Sequence, residues 1–395
     1  MWRKVKLGEI CTLLNGRAYK KTELLDKGKY PVLRVGNFFT NRSWYHSDLE
    51  LDADKYCDDG DLLYAWSASF GPQIWHGGKV IYHYHIWKTL IDQSRVNKKF
   101  LYYWFLWDVD RIKAEQGAGT TMVHVTKRSM ADRSLNLPPL PEQKCIVAIL
   151  DEAFEGIDAA IANTQANLAA ARELFESFLD HKLINQENDW EELGLGEVAE
   201  FRNGLNFTRT SKGEAIKIVG VKDFQREFYV PSDTLETVTI NGKLRDIDCL
   251  KDGDILAVRS NGNKALIGRC LLAKGITDTT SHSGFTIRIR LASKDILPEF
   301  LTYFMKSNTC HEMLVASGGG ANISNLNQQA LFALAIRFPP ISEQKKIISE
   351  FEEFDARIRD LTSKYQQKLD ALHELKQSIL AKAFRGELAQ EEIAA

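Results

Sequence analysis

Along residues 137–188, apolar or small side chains recur at alternating three- and four-residue steps: Ile146, Leu150, Ala153, Ile157, Ala160, Thr164, Leu168, Ala171, Phe175 and Phe178. The same rhythm returns along 338–395 in Ile347, Phe351, Phe354, Ile358, Leu361, Tyr365, Leu369, Leu372 and Ile379. Such spacing keeps one stripe of a helix apolar and predicts two coiled-coil helices. A double proline precedes each, in "LPPLPEQ" and "FPPISEQ", and forbids helix upstream. Glu142 and Glu343 put negative charge in the first turn, where it offsets the helix dipole. The helices are expected to start near Pro141 and Ser342 and to run about 44 residues, roughly 65 Å at ~1.5 Å per residue.

Before each helix the pattern switches to β-branched and aromatic alternation bounded by Gly, Asn and Asp. "YPVLRVGNFF", "DLLYAW", "KVIYHYHIWKTL", "IKIVGVKDF", "DILAVRS" and "FTIRIRL" predict strands in two mixed α/β heads. Each head should end in a short helix, "KKFLYYWFLW" or "PEFLTYFMKS", followed by a glycine-bearing loop.

The chain is a duplication. "WRKVKLGEI" at Trp2 matches "WEELGLGEV" at Trp190, and Asn15-Gly16 matches Asn203-Gly204, both at an offset of 188. The offset drifts to 193 at "DGDLL" and "DGDIL" and to 200 at "FLYY" and "FLTY". From Gly117 and Gly318 onward it locks at 201, through Pro138/Pro339, Glu142/Glu343, Gln143/Gln344 and Ser177/Ser378, without a gap. The heads have been free to change length and the helices have not, which argues for matched rigid elements. Because the first helix leads into the second head, the simplest pairing is antiparallel, with the second helix returning to the first head. Ile146, Leu150, Ile157, Leu168, Ile347, Phe351, Phe354, Ile358, Leu369 and Leu372 are the expected interface. Ala153, Ala159, Ala160, Ala162, Ala166, Ala169, Ala170 and Ala171 of the first helix should face the larger residues of the second, and close packing should account for Gly156. The expected fold is α+β, two mixed α/β domains (1–136 and 189–337) joined by two long antiparallel coiled-coil helices (137–188 and 338–395) with pseudo-twofold internal symmetry.

Composition changes this picture little. With 44% hydrophobic and 26% charged residues in 395, the chain suits two or three globular domains with real cores. No apolar run reaches the ~18 residues that a membrane span needs, and "MWRKVKLGEI" lacks the apolar region of a signal peptide, so a cytosolic location is expected. The six cysteines are scattered without zinc-site spacing and are expected to be reduced and structural. Charge is segregated: residues 1–136 hold 21 Lys and Arg against 15 Asp and Glu, whereas residues 137–188 hold 3 against 9. That distribution permits a nucleic-acid face without demanding one.

Catalytic signatures are missing from the sequence. No phosphate-loop motif is present, and "SGGGANIS" (Ser317–Ser324) has neither a lysine nor a preceding strand to make it one. "NLPPL" and "FPPI" lack the aromatic that follows the prolines in amino-methylating DNA methyltransferases. His83 and His85 would share one face of a strand, but no acidic or cysteine partner stands nearby to complete a metal site. Cys310-His311 has the wrong spacing for a nucleophile and base on one helix face. The chain therefore looks like one that binds and organises, with no metal of its own. Basic and amide residues in predicted loops are the DNA-binding candidates: Arg17, Lys20, Lys21, Arg34, Asn37, Arg42, Lys79 and Lys88 in the first head, and Arg202, Arg209, Lys212, Lys222, Arg259, Asn261, Asn263, Lys264 and His282 in the second. "AVRSNGNKALIGR" is the densest cluster, and its counterpart "YAWSASFGPQIW" is almost uncharged, so two DNA-reading heads would read different sequences.

A duplicated chain whose halves open W-x-x-x-x-L-G-E-[IV], continue with Asn-Gly, end PP-x-x-E-Q-x-x-I and run into a long helix resembles the specificity subunit of type I restriction-modification systems. The closing "LKQSILAKAFRGELA" (Leu375–Ala389) strengthens the likeness, which covers essentially the whole chain. The resemblance implies two target-recognition domains, each for one half of a split, asymmetric site in double-stranded DNA, with helices that set the unread spacer and dock two modification subunits. S-adenosylmethionine, ATP and magnesium would belong to the modification and restriction subunits, and catalysis would too. Two other readings stand beside this one: a coiled-coil scaffold that binds protein partners without direct DNA recognition, and a self-contained modification enzyme.

Overall fold

The computed structural model describes residues 2–41, 43–67, 70–115, 125–184, 190–225, 227–317 and 326–388. The chain groups into two compact units, Met1–Thr164 with Gln367–Ala395, and Gln165–Gln366. Each unit therefore contains one head and a stretch of both long helices.

The opening strand Arg3–Lys6 pairs antiparallel with Ser134–Leu137, and Glu191–Gly194 pairs in the same way with Ala335–Phe338. The repeated W-x-x-x-x-L-G-E segment is thus the strand that ties the beginning of each head to its end. Leu7 and Leu195, which follow the strands, are fully buried. Each head then carries a four-stranded antiparallel sheet of the same order. In the first it runs Cys11–Asn15, Ile86–Ile91, Leu62–Ala65, Gly71–Ile74; in the second, Ala199–Asn203, Thr286–Leu291, Ile255–Val258, Cys270–Leu272. A second sheet, four-stranded in the first head and three-stranded in the second, contains one parallel pair in each, with Val32 opposite Ile81 and Lys217 opposite Thr280. The repeat in sequence is a repeat in topology.

The Asn-Gly pairs mark a close crossing. A Cβ on Gly16 would lie 2.2 Å from the Tyr82 carbonyl oxygen, and one on Gly204 would lie 2.2 Å from that of Ser283. Only a residue without a side chain lets the strand leave the sheet against this turn.

The two long helices span Leu140–Ile184 and Ile341–Arg385, 45 residues each, and start one residue before the expected positions. In the first unit, Ile146, Leu150, Phe154 and Ile157 share a core with Leu380, Ala383 and Phe384, and Lys376 pairs with Asp158 at 2.7 Å. In the second, Leu179 and Leu183 share a core with Ile347, Ile348 and Phe351; the Phe178 and Phe354 rings lie 4.3 Å apart, and Lys182 pairs with Glu350. Early residues of one helix meet late residues of the other in both units, so the pairing is antiparallel. Of the expected interface, Ile146, Leu150, Ile157, Ile347, Phe351, Ile358 and Leu369 are buried, and Leu168, Phe354 and Leu372 are half-buried.

Each helix is locked to its head by a glutamine. Gln143 donates from Nε2 to the carbonyls of Arg95 (2.9 Å) and Pro138 (2.8 Å) and accepts the Asn97 amide at 2.8 Å. Gln344 repeats the pattern with Asp295 (2.6 Å), Pro339 (2.8 Å) and Leu297 (2.8 Å). Both side chains are wholly buried.

Ala159, Ala162, Ala166, Ala169 and Ala170 are exposed and only Ala171 is buried, so most of these alanines serve helix propensity instead of close packing. Gly156 is also exposed, with nothing within 4 Å of its would-be Cβ. "YPVLRVGNFF" is strand only over Tyr30–Leu33 and turns helical at Val35–Thr40, because Asn37 Oδ1 accepts the Arg34 amide and Nδ2 donates to the Ser43 carbonyl. His83 and His85 lie in the turn between two strands, not along one strand. The first head's terminal helix extends over Lys98–Glu115, while its counterpart breaks at Ser307 into Pro298–Lys306 and Asn308–Ser317. Beyond Ser317, the "SGGGANIS" loop lies outside the described residues.

Two substitutions check this account by chemical denaturation of the full chain. Gln344→Ala strands a buried amide and two carbonyls and should lower stability by about 3 kcal/mol. Gly156→Ala should raise it by up to about 1 kcal/mol, since the added methyl meets no neighbour.

Candidate nucleic-acid interface

Several of the candidate cations are bound into the fold. Strand alternation sends Ile287 and Ile289 into the second head's core and turns Arg202, Arg288 and Arg290 to the opposite sheet face. There Arg202 Nε meets Asp248 at 2.5 Å, Arg290 is held by Asp254 at 2.6 and 2.7 Å, and Arg288 donates to the Ile247 carbonyl at 2.8 Å. His282 is on a strand and buried, with Nδ1 2.9 Å from Thr286 Oγ1. Burial, and then the Arg288 charge, push its pKa down to about 3, so it is a neutral core residue and not a phosphate contact. In the first head, Lys88 pairs with Asp61 at 2.6 Å from its position on a strand, and Asn37 is a buried helix cap. These four sites, His282, Lys88, Arg202 and Asn37, are less available than loop positions would be.

The other candidates lie nearer the surface. Arg17 makes a two-pronged bond to Glu23 at 3.0 and 2.9 Å and stands over the Tyr19 ring. Arg34 covers Tyr45, and Lys79 covers Tyr56 and Tyr30. Lys20, Lys21, Arg209, Lys212 and Lys264 are exposed, and Lys222 is exposed in a pair with Glu236. Asn263 caps the turn Lys264–Leu266. Arg42 lies outside the described residues.

One corner of main chain is built twice. Arg17 N donates to the Tyr82 carbonyl (3.0 Å), Tyr84 N to that of Arg17 (3.1 Å), and Trp66 N to that of His85 (3.0 Å). In the second head Leu205 N donates to His282 (2.8 Å), Gly284 N to Leu205 (2.7 Å), and Arg259 N to Phe285 (2.9 Å). The backbones match and the side chains do not. The first corner is aromatic: Trp66 stacks on Trp87 at 5.7 Å and meets His85 edge-on at 5.0 Å, and the His83 ring lies 4.9 Å from that of His85. Burial, His85 and Arg34 lower the His83 pKa to about 4. The second corner opens on a cavity of about 320 Å³ lined by Phe207, Lys222, Asn261, Ser283 and Phe285.

Thus the structure gathers Lys222 and Asn261 from the sequence candidates and adds Phe207, Ser283 and Phe285, which a search for basic and amide residues passes over. The offset of 200, which places Ser283–Phe285 on His83–His85, was the available signal. A larger cavity of about 720 Å³ lies elsewhere in the second unit, between the helices and the head, lined by Arg172, Phe175, Phe228, Arg269, Tyr303 and Arg359. Among the described residues, no group of three His, Cys, Asp or Glu is placed to hold a metal, and no helix is long and apolar enough to cross a membrane.

A sequence profile described as the type I restriction modification DNA specificity domain matches residues 1–168 and 187–371. The chain belongs to that family. Relatives of this type I specificity chain include the EcoBI specificity subunit of Escherichia coli, 26% identical over 424 residues, covering 98% of this chain and 86% of that one. The StySPI specificity subunit of Salmonella potsdam is 25% identical, over 98% of this chain and 89% of its own. The fold is shared with a solved chain described under the structural basis of complex assembly and conformational transition of the type I R-M system, with a TM-score of 0.71, 18% identity and 98% coverage of both chains.

The buried imidazole makes stability depend on pH. His282 binds its proton at about 3 when folded and nearer 6.5 when free, so the unfolded chain takes up more protons between those values. The contribution of His282 to stability should be constant above about 6.5 and fall as pH drops towards about 3. Urea unfolding of His282→Gln should show a shallower acid-side decline than the parent chain.

Proposed function

We propose that this chain supplies the DNA address for a type I restriction-modification complex. Each head reads one half of a bipartite, asymmetric site in double-stranded DNA, and the paired helices set the unread spacer and dock two modification subunits. The observation that carries the reading is the doubled corner: one main-chain scaffold, two different sets of side chains. Two readers of different half-sites need that arrangement, whereas a scaffold for identical protein partners does not. The chain itself is non-catalytic in this reading. S-adenosylmethionine and adenine methylation reside with the modification subunits, and ATP and magnesium with the restriction subunits. A cytoplasmic location goes with that role.

Co-expression with a modification subunit, followed by mapping of methylated adenines, tests this directly. Exchanging one head for that of a relative should change one half-site and leave the other intact. A methylation pattern indifferent to the exchange sinks the reading, and persistent absence of DNA binding by the full complex favours the protein scaffold. Spacer length follows from the helices. Removing Ala159–Gln165 takes away seven residues, about two turns, preserves the apolar seam and should alter the spacer, so an unchanged spacer rules out the measuring role.

A further inference from the structure

We propose that the second head's corner reads the major-groove edge of a thymine, with Phe285 against the C5-methyl group and Asn261 donating to O4. The inference rests on the DNA-address reading above and assigns its chemistry at one position.

Phe285 sits on the turn between the strands Thr280–His282 and Thr286–Leu291, and 61% of its surface is exposed. Its main-chain carbonyl is fixed by the Arg259 amide, so the ring is presented from a defined backbone. Phe207 adds apolar surface on the same cavity wall. Ser283, only 5% exposed, also lines this cavity.

Asn261 sets the polarity of the site. Its Oδ1 already accepts the Asn263 amide at 2.7 Å, and its Nδ2, which makes no hydrogen bond among the described residues, is the group it offers a ligand. The corner therefore offers a donor beside an apolar surface. Among base edges in the major groove, thymine alone sets an acceptor, O4, next to a methyl group; cytosine presents a donor, and purine acceptors have no adjoining methyl. Lys222 at the rim is already paired with Glu236 at 2.5 Å, so the cavity is not dominated by a free cation. In the first head the equivalent position carries His85 against Trp66, and that corner should favour a different edge.

The test uses the full chain co-purified with its modification subunits and synthetic duplexes of the mapped site. Each thymine of the second half-site is replaced singly by deoxyuridine, which lacks only the methyl group. One position should lower kcat/KM for methyl transfer about fourfold, the worth of one buried methyl. Phe285→Ala should methylate the parent site more weakly and lose the thymine-over-uracil preference at that position, with the first half-site unchanged. Because the ring is largely exposed, the variant should fold, and the deoxyuridine arm needs no variant at all. Sequence-specific methylation with no thymine-over-uracil discrimination, or discrimination untouched by Phe285→Ala, overturns the corner alone. Methylation that follows no sequence overturns the DNA-address reading and the corner with it.

Discussion

Gln143 and Gln344 each meet three hydrogen-bonding demands at the point where a strand-rich head gives way to a helix. The double proline that stops helix upstream supplies no amide hydrogens, and its first carbonyl needs a partner once buried. A primary amide serves because it donates twice and accepts once at a single site. Glutamate could not donate, and an apolar side chain would leave all three main-chain groups bare. That amide ties the first turn of each helix to its head, and Ile146 and Leu150 in one unit and Ile347 and Phe351 in the other continue the attachment through the apolar core.

The heads show how a scaffold can diverge without losing its geometry. Gly16 and Gly204 let a strand cross a turn at a distance no side chain tolerates, and the crossing is held by main-chain bonds that any residue can make. Side chains at the corner are consequently free to change. One copy carries Trp66, His83 and His85, and the other carries Arg259, Ser283 and Phe285, on equivalent backbones.

Charge is less transferable between sequence and surface. Arg202 and Lys88 are DNA-binding candidates in the sequence, yet Asp248 and Asp61 neutralise them in the fold, as Asp254 does Arg290. Residues 189–337 hold 18 Lys and Arg against 18 Asp and Glu, and internal pairs of this kind mean that the second head's net charge says little about how it meets phosphate.

Periodicity determined the helices almost to the residue, because a 45-residue apolar stripe bounded by prolines admits few alternatives. The internal repeat determined the duplication, the antiparallel pairing and the family likeness. Tertiary structure decided what depends on contacts between distant segments. The helical turn at Val35–Thr40 needed Asn37 to find the Ser43 carbonyl. The exposed alanines and Gly156 show that a helix can be rich in small residues without packing them. The corner joins Gly204, Arg259 and Phe285 from three separate stretches of chain, a proximity that the sequence of any one stretch leaves open. The "LPPLPEQ" and "FPPISEQ" phrases announced a junction through their prolines, but the work of their glutamine became visible only when Arg95 and Asp295, 48 and 49 residues upstream, were brought against it.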